Sequence, residues 1–343
     1  MLDDHSTTWN WRDWAFTLDD QGPFETGAAT SEPGAEGPPP DFPRYEVLRC
    51  LGSGAMGTVW LVRDRELMRE VALKLGHKAD ERTLGQYALE AQISSQLDHP
   101  NIPPVYDVGR DDEGRPYLTS KLIRGHEPLK SVIDRLVAAD DQAVRCYGYS
   151  RRVQVALRIA AALGYAHERC VVHQDVKPEN ALVGVHNEVY LVDWGVANIE
   201  ALSCSTNMPV RVGGAGLEEV TYRASEIAGT PAYMAPELFH GQRPDALSDQ
   251  YSFAATLYEL LTLRHYLSDA GTLTDLASIA LAAKGHPPKP AHEVDLGCGP
   301  PPPKALSAIC ARGLAKARAD RFPSMDAFYD ALQGWLDDRG SEA

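Results

Sequence analysis

The apolar period changes once along this chain, and that change limits the architectures open to it. From Arg44 the pattern is short β-type runs broken by glycines, Tyr45–Leu48, Thr58–Val62 and Val71–Leu75, which predicts a small antiparallel sheet. Leu84, Ala88, Ala91, Ile93 and Leu97 then recur at helical spacing. Beyond Gly125 the period is helical throughout, over Val153–His167, Ser248–Leu263, Thr274–Ala283, Lys304–Lys316 and Ser324–Leu336. Strands segregated ahead of helices predict an α+β chain in two parts, a sheet with one main helix followed by a larger helical part. The proline-rich run from His286 to Pro303 separates two of those helices and is expected to be a surface loop.

A net charge of −15 over 343 residues argues against a general nucleic-acid binder. The charge is uneven: residues 1–43 carry nine acids against one base, Arg12. Within that region residues 1–20 form an acidic arm that reads as a mobile tail with no defined partner or, given Trp9, Trp11, Trp14 and Phe16, as an element that docks a partner or straps the main domain. Residues 21–43, rich in Pro and Gly, read as a linker. No apolar run is long enough to span a membrane, and the first residues lack a signal-peptide pattern, so a cytoplasmic location is expected. Six cysteines lie far apart without a C-x-x-C pair, which favours free buried thiols over zinc or disulfides.

Three clusters of residues carry chemistry. Leu51, Gly52, Ser53, Gly54, Ala55, Met56 and Gly57 lie between two strand runs, where glycines let a hairpin close over phosphates with its N–H groups free. A following strand, rather than a helix, counts against a dinucleotide fold. Lys74 ends an apolar strand and needs a partner, for which Glu90 on the next helix is placed. Finally, Asp175, Lys177, Asn180 and Asp193 supply a carboxylate for a hydroxyl proton, a cation for a γ-phosphate and oxygen ligands for a divalent metal. Each alone would be an ordinary loop residue; their joint order downstream of the glycine loop and Lys74 is what points to phosphoryl transfer.

With these motifs the chain resembles the eukaryotic-type protein kinases, more narrowly the bacterial serine/threonine-protein kinases, over about residues 44–337. The resemblance implies a two-lobed fold, an N-lobe of about 44–120 and a C-lobe of about 125–337, with residues 338–343 a tail. It implies ATP in the cleft with Mg²⁺ (or Mn²⁺) held by Asn180 and Asp193, and Asp175 and Lys177 as catalytic residues. It also implies Val59, Ala72 and Leu182 around adenine, Ser120 as gatekeeper and Lys121 to Ile123 as the hinge. Gly229–Glu237 resembles the substrate-docking end of the activation segment, Asp249 a brace for the catalytic loop, and Arg321 the partner of Glu237. Lys177 and Thr230 imply serine/threonine rather than tyrosine acceptors on protein substrates.

Two positions depart from the family pattern. Gln174 replaces the arginine that usually grips an activation-segment phosphate, which implies weaker dependence on phosphorylation of Ser203, Ser205, Thr206, Thr221 or Ser225. Trp194 replaces the usual Phe and is expected to pack as an apolar plug on His173 and the Glu90 helix. The glycine-bearing run Val210–Gly216 reads as an insert. The competing class is a pseudokinase scaffold, which would bind nucleotide without efficient transfer; its usual losses at Lys74, Asp175 or Asp193 are not found here.

Overall fold

A computed structural model describes residues 40–54, 57–184, 188–195, 197–199, 229–270, 275–285, 287–297 and 299–340. The acidic arm, most of the linker, Ala55, Met56, the five activation-segment alcohols and the Val210–Gly216 run lie outside these residues.

The N-lobe is a five-stranded antiparallel sheet of order β1-β2-β3-β5-β4. Its strands are β1 (Tyr45–Gly54), β2 (Gly57–Asp64), β3 (Arg69–Gly76), β4 (Val105–Arg110) and β5 (Pro116–Lys121). Alternation in β2 and β3 sends Trp60, Val62, Val71, Leu73 and Leu75 into one small core with Tyr45. Phe42 joins that core at 2% exposure, edge-on to Tyr117 at 5.2 Å, so apolar packing begins inside the stretch read as linker. Helix α1 (Glu81–Ser95) starts at Asp80, whose side chain accepts from Thr83 N. Its Leu89 and Ile93 belong to the large C-lobe core rather than the sheet core.

The C-lobe holds α2 (Leu129–Val137), α3 (Asp141–Cys146), α4 (Tyr149–Glu168), α5 (Ala246–Thr262), α6 (Leu276–Gly285), α7 (Lys304–Gly313) and α8 (Met325–Gly340). A small sheet of order β6-β8-β9, comprising β6 (His126–Pro128), β8 (Ala181–Gly184) and β9 (Val189–Leu191), and the pair β7 (Val171–Val172) with β10 (Asn198–Ile199) flank the loop that carries Asp175 in sequence. Helix α5 is buried continuously from Ser248 to Thr262, so its polar side chains, Asp249 and Glu259 among them, need partners inside the protein. Among the described residues no helix is long and apolar enough to cross a membrane.

The strand runs read from the sequence lie in β1, β2 and β3, and the helical runs overlap α1, α4, α5, α6, α7 and α8 while overshooting several of their ends; β4, β5, α2 and α3 lie outside those runs, although Leu129, Val132, Ile133 and Leu136 give α2 a helical period. The cysteine reading needs correction. Cys146 and Cys310 are free thiols, Cys310 buried but Cys146 exposed, and Cys170 is disulfide-bonded.

Candidate active site

The β1–β2 hairpin brings Gly52 opposite Val59, Ser53 opposite Thr58 and Gly54 opposite Gly57. Ser53 and Thr58 hydroxyls lie 3.0 Å apart and tie the hairpin together. Gly57 is required by packing as well as by any phosphate: a Cβ there would lie 2.3 Å from Leu75 O and 2.4 Å from Tyr87 Oη. Below this hairpin, Ala72 pairs with Ser120 across β3 and β5, and Val59 with Lys74 across β2 and β3. Val59, Ala72, Ser120, Lys121, Ile123 and Leu182 are all half-buried, so they line a cleft rather than close a core.

Lys74 sits between two carboxylates. Its Nζ donates to Glu90 Oε1 at 3.0 Å and Oε2 at 2.9 Å, as the sequence anticipated, and also to Asp193 Oδ1 at 2.9 Å. Burial alone would lower the Lys74 pKa, but Asp193 and Glu90 more than reverse this and hold the ammonium above its usual range. Burial raises Glu90 despite Lys74. For Asp193 burial pushes upward, yet the attraction of Lys74 wins and its pKa falls. The site therefore keeps Asp193 as the ionised carboxylate, the form a cation needs.

On the C-lobe side, Asp175 is the centre of a second cluster. Its Oδ1 accepts from Thr230 N at 2.8 Å and Thr230 Oγ1 at 2.7 Å, and Lys177 Nζ lies 2.8 Å from its Oδ2. Lys177 also donates to Thr230 Oγ1 at 2.7 Å. Asn180 Nδ2 donates to both Asp175 O and Oδ2 at 2.9 Å, which leaves its carbonyl oxygen as the acceptor for a cation. Asp193 carboxylate and Asn180 carboxamide are the hard oxygen donors that Mg²⁺ or Mn²⁺ takes, so the residues present fit such an ion. Among the described residues no cluster of three His, Cys, Asp or Glu forms an all-protein metal cage.

The loop carrying Asp175 is braced from α5. Asp249 accepts from His173 N at 2.7 Å, Gln174 N at 2.8 Å and His167 Nε2 at 2.8 Å. Burial lowers the His173 pKa, and the neutral ring donates from Nε2 to Val192 O at 3.1 Å while Nδ1 accepts from Asp175 N at 3.3 Å. Gln174 takes a left-handed φ of 68°. Further out, Arg321 grips Glu237 through two bonds of 2.6 and 2.8 Å, with Arg321 fully buried.

Sequence reasoning missed a neighbouring network. Glu259 on α5 accepts from Tyr233 Oη at 2.5 Å and from Lys130 at 3.2 Å. Burial raises the Glu179 pKa beside it, and Glu179 Oε2 has no hydrogen-bond partner among the described residues. The available signal was charge inside an otherwise apolar helix pattern at Glu259.

A small sheet over a helical lobe, with a lysine–carboxylate cluster facing a carboxylate–lysine–amide cluster, is the architecture of the two-lobed phosphotransferase class. The chain belongs to the protein kinase domain family, which matches residues 45–321. It is similar to serine/threonine-protein kinase PknD of Chlamydia trachomatis serovar L2b, 32% identical over 313 residues, covering 85% of this chain and 32% of that protein. PknD of Protochlamydia amoebophila is 29% identical over 310 residues, 86% of this chain and 30% of that protein. Serine/threonine-protein kinase pkn3 of Myxococcus xanthus is 32% identical over 302 residues, 84% of this chain and 49% of that protein. The chain thus spans about a third to a half of the length of these relatives.

Proposed function

We propose that this chain is a serine/threonine-protein kinase that transfers the γ-phosphoryl group of ATP to a serine or threonine hydroxyl of a protein substrate. The observation that carries the reading is the convergence of Lys177, Asn180 and Thr230 on the Asp175 carboxylate, each within hydrogen-bond reach of it. Asp175 takes the proton of the incoming hydroxyl as oxygen attacks the γ-phosphorus and the β–γ bridging bond breaks. Lys177 neutralises charge on the transferred group, and Lys74, fixed by Glu90, holds the α- and β-phosphates. Gly52, Gly54 and Gly57 lie over the phosphates, Val59, Ala72 and Leu182 flank adenine, and Lys121 to Ile123 bond its edge beside Ser120. Asn180 and Asp193 would hold Mg²⁺ or Mn²⁺, which would offset phosphate charge. Pseudokinases commonly lose the equivalents of Lys74, Asp175 or Asp193, and this sequence keeps all three.

The proposal includes a cytoplasmic setting, supported by ATP as donor, and the acidic Trp-bearing arm, residues 1–20, as a docking element for a partner protein. The test of the chemistry is incorporation of labelled phosphate into a generic basic protein. Asp175→Asn is expected to lower turnover by about 10²–10⁴, the range for a positioned general base. Turnover that survives this change intact assigns the chemistry to another group.

A further inference from the structure

Asp193 holds a left-handed backbone with φ of 63°, a conformation an L-residue other than glycine keeps only when its surroundings over-determine it. The backbone just before it is pinned at successive groups. Leu191 N donates to Asn101 O at 2.8 Å and Val192 N to Asn180 O at 2.9 Å. Val192 O accepts from His173 Nε2 at 3.1 Å, and Leu191 O accepts from Trp194 Nε1 at 3.3 Å. The two side-chain donors also touch each other, with the imidazole and indole ring centroids 4.5 Å apart at 59°. Trp194 is 2% exposed and Leu191 is fully buried, so no water stands ready to replace the indole N–H at that carbonyl. A phenylalanine ring could fill much of the same space but could not donate this bond.

We propose that Trp194 is a positioning residue whose indole N–H, through Leu191 O, holds Asp193 in the backbone geometry that faces its carboxylate to Lys74 and to the metal side of the cleft. This rests on the kinase reading above. In this chain a side-chain hydrogen bond on either flank of the residue pair 191–192, one from His173 and one from Trp194, fixes the carboxylate that an aromatic ring without a donor would fix by packing alone.

The test separates the bond from the ring shape. Two full-length variants are compared with the natural chain: Trp194→Phe, and a chain with 3-benzothienylalanine placed at position 194 by codon suppression, which keeps the bicyclic shape and lacks the N–H. Mn²⁺ binding is measured by electron paramagnetic resonance in the presence of a non-hydrolysable ATP analogue, alongside thermal melts of the nucleotide-free proteins. Loss of one hydrogen bond is expected to weaken Mn²⁺ binding about three- to tenfold in the benzothienyl variant, with its melting temperature close to that of the natural chain. In steady-state assays kcat at saturating Mn²⁺ is expected to stay near the natural value, because the carboxylate is still present and the metal restores its position. Unchanged Mn²⁺ affinity in the benzothienyl variant overturns the proposal, even if Trp194→Phe is impaired, because shape alone would then account for the loss. A natural chain that binds the nucleotide analogue with no Mn²⁺ overturns the kinase reading of Asn180 and Asp193, and this proposal with it.

Discussion

Gly229 is the residue at which the segment leading to Thr230 touches the loop carrying Asp175. Its φ is 94°, and a Cβ there would lie 2.3 Å from Gln174 O. Its neighbour Thr230 donates twice to Asp175, so the close approach at Gly229 sets the position of both. Gly229→Ala combines a left-handed cost of about 1–2 kcal/mol with a backbone clash, and a loss of about 1.4 kcal/mol in the transition state is tenfold in rate. Turnover is therefore expected to fall at least about tenfold, read by steady-state kinetics on protein checked for folding; a wild-type rate would show that this approach does not position Thr230. Asp175, Lys177, Asn180 and Asp193 stand out in the sequence because the proposed phosphoryl transfer needs such groups and they lie in one short stretch. The third arm of the Lys74 cluster does not, because Asp193 lies 119 residues further along the chain and only folding brings the two to 2.9 Å.

Helix α5 is the element on which the site is mounted. Its start is fixed by a reciprocal cap between Asp245 and Ser248, and its last carbonyls, Leu260 O and Leu261 O, accept from Arg152 Nη1 at 3.2 and 3.1 Å. Between them Asp249 braces the catalytic loop. Just beyond α7, Lys316 lies against this helix, donating to Tyr251 Oη at 2.9 Å. Burial, and then Arg321, lower its pKa from the usual 10.5 to about 8. Between those values the unfolded chain binds the proton more readily than the folded one, so this group's contribution to stability rises with pH through about 8 to 10.5, and its cost is fully present below. Lys316→Met is expected to raise the melting temperature at pH 7, with the advantage shrinking as pH climbs through that window. Melts of both proteins across the range check this, and a less stable variant at pH 7 would mean that the Tyr251 bond outweighs the buried charge. The helix itself was legible as an apolar run, whereas the polar residues it turns inward, Asp249 and Glu259, acquire partners only through tertiary contacts.

At the scale of the molecule, a small sheet core and a large helical core meet at α1, whose Glu90 reaches Lys74 while its Leu89 and Ile93 pack below. The activation segment ends against Asp175 through an uncharged hydroxyl, and the preceding loop residue is the neutral Gln174, so nothing at this contact calls for a phosphate. Replacing Ser203, Ser205, Thr206, Thr221 and Ser225 by Ala is accordingly expected to cost less than about tenfold in kcat/KM, roughly 1.4 kcal/mol. A hundredfold loss in that five-alanine variant would sink the idea. The sequence by itself determined the α+β division, the strand and helix runs and the chemical groups of the cleft, because period and residue type are local properties. Tertiary structure alone decided that Phe42 belongs to the core, that Thr230 closes on Asp175, and that Trp194 bonds Leu191 O. Those depend on the directions in which buried donors and acceptors meet, and a buried polar group's partner is chosen by the fold around it rather than by its neighbours in the chain.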